Sequence, residues 1–142
     1  MDNKYIYIKM AKIWAEKSKA IRKKVGCIIV KDNKIISDGY NGMPHNFPDK
    51  CEETIYYKES DTCDSYTKPE VLHAESNAIT KLAKSTETSK NSTLYATTAP
   101  CFECAKLIIQ CEISKVFYLN KYKNDDGIKL LKKAKIKIEK IK

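Results

Sequence analysis

His73-Ala74-Glu75, and Cys101-Phe102-Glu103-Cys104 behind Pro100 and 26 positions after Glu75, constrain this chain more than anything else in it. Whatever architecture forms has to bring one imidazole and two thiols from distant stretches to one point. One nitrogen and two sulfurs suit zinc, and three protein ligands leave a fourth position for water. Zinc brings the ionisation of that water near neutrality, so such a site holds a hydroxide nucleophile at physiological pH. His73 and Glu75, two positions apart, do not share a face of a regular helix. Glu75 is therefore expected to point at the water as a proton carrier and not to be a fourth ligand. Cys101 and Cys104, three apart at the start of a helix, can both reach one ion. The unpaired N–H groups of the first helical turn favour their thiolate form.

Taken singly, each piece is weak. A lone C-x-x-C reads equally as a redox pair or as half of a structural zinc knuckle, and a lone histidine is an ordinary polar residue. The combination H-x-E … P-C-x-x-C is an established signature of zinc-dependent deaminases, which attack an electron-poor ring carbon bearing an exocyclic amine. In that chemistry Glu75 takes the water proton, passes it to the ring nitrogen and then to the leaving amine.

With 142 residues, 42% hydrophobic and 32% charged, the chain has the size and composition of one globular domain, 1–142. No apolar run approaches the roughly 20 residues of a membrane span, and no signal-peptide core follows Met1. A cytoplasmic location without membrane association is the expectation. Without an export signal, the six cysteines read as thiols and metal ligands and not as a disulfide framework. Cys27 falls in an apolar strand, Cys111 at a helix, and Cys51 and Cys63 in a polar loop with no assigned role. The net charge of +9 raises the question of nucleic acid. The lysines, however, are spread along the chain, and the densest run, Lys129 to Lys142, alternates with Leu130, Leu131, Ile136, Ile138 and Ile141. That pattern fits a solvated helix face and an edge strand. Attraction of a small phosphorylated substrate is the simpler use of the charge.

Along the chain, Ile6, Met10, Ile13, Trp14 and Lys17 at helical spacing predict an amphipathic helix over 4–18, with 18–24 as polar linker. Val25 to Val30 and Lys34 to Gly39, joined by a turn at Lys31-Asp32-Asn33-Lys34, predict a hairpin. From Tyr40 to Lys68 the chain reads as a long functional loop, with a short helix around Ile55-Tyr56-Tyr57. Helices are predicted over 71–84, 101–111 and 125–134. Strands are predicted over 93–98, 115–119 and 135–141. This order defines an α/β fold, a three-layer αβα sandwich around a mixed five-stranded sheet.

Several stretches resemble deoxycytidylate (dCMP) deaminases of the cytidine deaminase-like superfamily. They are Val25 to Val30, Gly39-Tyr40-Asn41-Gly42-Met43-Pro44, Leu72 to Ile79, Pro100 to Gln110, and Lys121-Tyr122 before Asp125-Asp126-Gly127. The resemblance implies zinc-dependent hydrolysis of dCMP to dUMP and ammonia, feeding dTMP synthesis. It implies zinc ligands His73, Cys101 and Cys104 and the proton shuttle Glu75. Asn41 would hydrogen-bond the sugar hydroxyl, the backbone at Ala74 would read the pyrimidine edge, and Arg22, Lys121 and Tyr122 would hold the 5′-phosphate. It further implies a homo-oligomer, a hexamer in many relatives. Activation by dCTP with Mg²⁺ and inhibition by dTTP would act through Gly39, Tyr40, Asn41 and Gly42. Two departures stand out. The position two before His73, where some relatives place a histidine for a second zinc, is Val71, so a second ion would have to use His45, Cys51 or Cys63, and none is expected. Glu112 stands where a glycine commonly ends the helix. The rival readings are a deaminase of tRNA adenosine or single-stranded DNA, and a zinc-stabilised binding module without catalysis.

Overall fold

The computed structural model describes residues 3–142. Its elements are α1 Asn3–Ala15, β1 Gly26–Lys31, β2 Lys34–Tyr40, β3 Glu52–Tyr57, β4 Thr62–Thr67, α2 Ala74–Ala83, β5 Thr93–Thr98, α3 Phe102–Gln110, β6 Lys115–Asn120, α4 Asp126–Lys133 and β7 Lys137–Lys140. Five strands form one mixed sheet in the order β2-β1-β5-β6-β7. β1 is antiparallel to β2 and to β5, whereas β5, β6 and β7 run parallel. No helix among the described residues is long and apolar enough to cross a membrane.

The sheet's two faces follow from the period of two along its strands. Cys27, Ile29, Leu94, Ala96 and Val116 pack with Ala78, Leu82, Ala105, Ile108 and Leu131 of α2, α3 and α4. The alternate residues Ile28, Val30 and Tyr95 pack with Ile8 and Ala11 of α1 on the other side. The result is the three-layer α/β sandwich around a five-stranded mixed sheet that the sequence predicts.

The sequence places helix α1 correctly but misassigns its buried face. Ile6, Met10 and Ile13 are 42%, 36% and 64% exposed, while Ile8, Ala11 and Ala15 are buried. The cause is a close approach. A Cβ on Gly26 would lie 2.0 Å from the Ala11 carbonyl oxygen, so β1 and α1 touch backbone to backbone and only small side chains fit between them. The helix also ends earlier than predicted. Ser18 is buried, and its hydroxyl donates to the Asn41 carbonyl at 2.7 Å while accepting from the Ala20 N–H. Buried hydroxyls need such partners, and this one ties the linker to the end of β2.

The turn between β1 and β2 has positive φ at Asp32 and Asn33, 50° and 62°, the conformation that suits a two-residue hairpin. The long loop contains strands and not the expected short helix. Glu52 to Tyr57 pairs antiparallel with Thr62 to Thr67, Glu52 opposite Thr67 and Tyr57 opposite Thr62. Thr54, Ile55, Tyr56, Tyr57, Thr62 and Tyr66 are β-branched or aromatic, residues that favour strands, and this preference prevails over any helical spacing. Only Glu52 of this hairpin is buried.

Candidate active site and metal centre

α2 and α3 begin at the two motifs that the sequence singles out. His73 is the N-cap of α2, with extended φ −74° and ψ 159°. Cys101 is the N-cap of α3, and its Sγ accepts from the Cys104 N–H at 3.4 Å. Pro100 stands just before the cap. α2 therefore starts three residues and α3 one residue later than the sequence pattern suggests, because the ligand residues are caps and not first-turn residues. Cys101 lies three residues beyond the end of β5, the strand at which the sheet changes from antiparallel to parallel pairing. In open α/β sheets, ligands gather outside the carboxyl ends of the strands.

His73 Nδ1 lies 3.3 Å from Cys101 Sγ and 3.5 Å from Cys104 Sγ, and the three donor atoms all lie within 4.8 Å of one another. Nitrogen and sulfur ligands at about 2.0 and about 2.3 Å from one zinc ion stand roughly 3.5 Å apart at a tetrahedral angle. The donor set could thus hold zinc with little rearrangement. Among the described residues this is the one such group of three. Without a metal the two thiols differ. The hydrogen bond from Cys104, then that from His73, bring Cys101 down to about 4 against its burial, whereas donating to Cys101 and being buried raise Cys104. Of the two thiols, Cys101 is thus the one whose surroundings favour the thiolate, the form that binds metal. His73 is raised, chiefly by its hydrogen bond to Cys101.

Glu75, in the first turn of α2, is 3% exposed. Burial pushes its carboxyl up to about 7, with His73 opposing that rise and Cys101 adding to it. A carboxyl poised at neutrality can both accept and return a proton. α2 is held against β2 by Ser37, whose hydroxyl donates to the Ala78 carbonyl at 2.7 Å, and by Asn77, whose amide donates to the Tyr40 carbonyl at 2.7 Å. Gly39 permits that approach, since a Cβ there would lie 2.4 Å from the Ala74 carbonyl oxygen.

A cavity of about 560 Å³ joins these groups. His73, Ala74, Glu75 and Cys101 form one part of its wall; Arg22, Lys23, Val25, Asn41, Tyr122 and Lys123 are among the rest. Of the sequence-stretch candidates, Arg22, Asn41, Ala74 and Tyr122 thus line the cavity. Lys121 is not among its lining residues, and Lys123, two positions on, takes that place with its ammonium 5.6 Å from the Tyr122 ring centre. Nothing in Lys121-Tyr122-Lys123 distinguishes the two lysines before the chain's path after β6 is known. Among the described residues, the Arg22 guanidinium makes no hydrogen bond or ion pair.

The Asn41 amide is already engaged with backbone. Its Oδ1 accepts from the Val25 N–H at 2.8 Å and its Nδ2 donates to the Lys23 carbonyl at 2.8 Å. Asn41 therefore shapes the cavity wall, and one Nδ2 hydrogen remains for a ligand. Within the Gly39 to Gly42 run, Gly39 has a packing reason, whereas Gly42 borders open space and bridges Leu72 through hydrogen bonds of 3.1 and 2.8 Å. Cys51 is buried, its thiol donating to the Asp49 carbonyl at 3.4 Å, and Cys63 is exposed on β4. A buried carboxylate that sequence reading missed, Glu52, accepts from the Ile21 and Arg22 N–H groups at 3.0 and 3.1 Å. Its position in a polar loop without periodicity gives no sequence signal.

Residues 1–120 match the family model for the cytidine and deoxycytidylate deaminase zinc-binding region. The chain belongs to that family of zinc-binding deaminases. Within it, the chain is similar to deoxycytidylate deaminases in particular. It is 38% identical to the dCMP deaminase of cyanophage S-TIM5, whose structure in complex with dCMP and dUMP matches with a TM-score of 0.86 over 99% of both chains. It is 38% identical over 122 residues to human deoxycytidylate deaminase, covering 84% of this chain and 66% of that protein. It is 34% identical over 137 residues to the Saccharomyces cerevisiae deoxycytidylate deaminase, covering 93% of this chain and 42% of that protein. The chain spans 42% to 66% of the length of these two curated relatives.

Proposed function

We propose that this chain catalyses the zinc-dependent hydrolytic deamination of dCMP to dUMP and ammonia. The observation that carries this reading is the single cavity joining His73, Cys101 and the buried Glu75 to the cationic side chains Arg22, Lys23 and Lys123. A neutral base at one end and an anionic phosphate at the other match that distribution. His73 Nδ1 and the Cys101 and Cys104 sulfurs would hold zinc. When bound, the ion supplies a Lewis acid that brings the ionisation of water into the neutral range.

The chain's own residues do the rest. Ala74, at the start of α2, offers its backbone to the pyrimidine edge, and Asn41 faces the sugar. Arg22 can grip the phosphate bidentately, with Lys123 and Tyr122 beside it. Glu75 takes a proton from the attacking water as its oxygen bonds to C4 of the ring. It delivers that proton to N3, removes the second one from the added oxygen, and protonates the amine as the C4–N bond breaks. Water and dCMP are consumed and dUMP and ammonia released, with Glu75 returned to its starting state.

The same reading extends to a single catalytic domain over 1–142, a homo-oligomer, and control by dCTP with Mg²⁺ and by dTTP. The single domain rests on the chain's length and composition, the homo-oligomer on the family resemblance, and the effector control on the resemblance of the Gly39-Tyr40-Asn41-Gly42 run. Equal dCMP saturation curves with and without dCTP–Mg²⁺ would remove the regulatory part. The substrate is tested by ammonia release from dCMP, deoxycytidine, cytidine, dCTP and an RNA hairpin. The expected outcome is strong preference for dCMP; preference for the hairpin would move the chain to the nucleic-acid branch.

A further inference from the structure

Arg22 lies in the irregular segment between α1 and β1, and such segments hold a fixed path only where something ties them. Side-chain packing does not tie this part, because Ile21 is 86% exposed. The ties are to backbone. Asn41 holds the Lys23 carbonyl and the Val25 N–H, both at 2.8 Å. Glu52 holds the two preceding residues, with one oxygen, Oε2, accepting from the Ile21 N–H at 3.0 Å and the Arg22 N–H at 3.1 Å.

Glu52 is 4% exposed, and among the described residues no cation pairs with it; Lys68 reaches the neighbouring Glu53 instead, at 3.9 Å. A buried carboxylate is costly unless hydrogen bonds satisfy it, and here two consecutive amides converge on it. The partner is backbone, so the Arg22 guanidinium stays free to face the cavity. Glu52 starts β3 opposite Thr67, itself a cavity residue, so the base of the β3–β4 hairpin braces the substrate cavity from outside.

We infer that Glu52 is a positioning residue for substrate binding: by fixing the Ile21 and Arg22 amides it aims the Arg22 guanidinium at the anionic end of the substrate. This rests on the reading of the chain as an enzyme of dCMP. It assigns Glu52 an effect on affinity that acts through Arg22 alone, which a merely structural carboxylate would not have.

The test is a double-mutant cycle in steady-state dCMP turnover by the full zinc-loaded chain, using Glu52→Ala, Arg22→Ala and both together. Arg22→Ala should raise KM about tenfold, the loss of one charge-assisted contact. Glu52→Ala should raise KM about fivefold or more with kcat within about twofold, and should add less than about twofold once Arg22 is gone. Glu52→Gln keeps an acceptor oxygen and should fall between wild type and Glu52→Ala; if Glu52→Ala does not fold, the cycle is run with Glu52→Gln. Effects on KM that multiply, or a fall in kcat with KM unchanged, would overturn the inference. Absence of dCMP turnover by the wild-type chain would instead overturn the functional reading, and this inference with it.

Discussion

Gly127 lies so near Pro100 that a Cβ on it would sit 2.1 Å from the Pro100 carbonyl oxygen and 2.8 Å from the Cys101 carbonyl carbon. The first turn of α4 is thus pressed directly onto the cap of α3. The backbone that presents Cys101 is held in place from a segment 26 residues further along.

Gly127→Ala should therefore act at the metal site from a distance. Overpacking of this kind costs about 1–3 kcal/mol, and relief requires moving either α4 or the Pro100-Cys101 backbone. The expected result is a lower melting temperature together with weaker zinc retention, read by thermal unfolding and by metal content after dialysis against a mild chelator. A variant as stable as wild type with full zinc content would show that the two segments are not coupled.

Glu112 makes the opposite prediction. It has a φ of 62°, the left-handed conformation that glycine tolerates best. Its N–H donates to the Ile109 carbonyl at 3.0 Å and the Ile113 N–H to the Ile108 carbonyl at 3.3 Å, the paired bonds of a Schellman ending. The expected glycine geometry is present without the glycine. Replacing Glu112 by glycine should remove a steric cost of about 1–2 kcal/mol and add back part of it as chain entropy. A net gain of about 0.5–1 kcal/mol is expected, measured by urea unfolding, with activity unchanged.

Burial of Glu75 sets a pH dependence on the metal-free chain. The carboxyl ionises near pH 4.5 when unfolded and at about 7 when folded. Between those values the folded state binds more protons, so stability falls as pH rises from about 4.5 and levels off above about 7. Glu75→Gln lacks this penalty. Metal-free Glu75→Gln should exceed the metal-free wild type in stability at pH 8 by on the order of 1–3 kcal/mol, and the gap should close by pH 4.5. A gap that is constant with pH would mean that Glu75 carries its charge in the folded chain without cost.

The placement of Lys123 and not Lys121 in the cavity wall separates two neighbouring lysines. Lys123→Ala should raise KM for dCMP by roughly three- to tenfold, the scale of one charged contact, whereas Lys121→Ala should leave it within about twofold. The reverse result would place the phosphate on the other side of Tyr122.

How far the sequence discloses this molecule depends on where information resides in it. The strand alternation at Cys27 to Val30 and at Leu94 to Ala96 repeats with a period of two, and the sheet follows from it. His73 and Cys101 announce themselves because few residue types bind zinc. The misassigned face of α1 has a different cause: which stripe of a helix is buried depends on how near it comes to the sheet, and that is set by Gly26, eleven residues beyond the helix end. Glu52 and Lys123 were illegible for a related reason. A carboxylate in a polar loop, or one lysine among several, gains a role only from the backbone that folding brings to it. The β3–β4 hairpin escaped because its alternation carries no buried face to mark it.

The most direct test of the account compares dUMP formation from dCMP by wild-type and Glu75→Gln chains at matched zinc content. The wild type is expected to form dUMP, and Glu75→Gln, with one zinc retained on His73, Cys101 and Cys104, to fall by about 10²- to 10⁴-fold, the scale of a lost proton carrier. Equal rates for the two chains, or no dUMP from the zinc-loaded wild type, would contradict it.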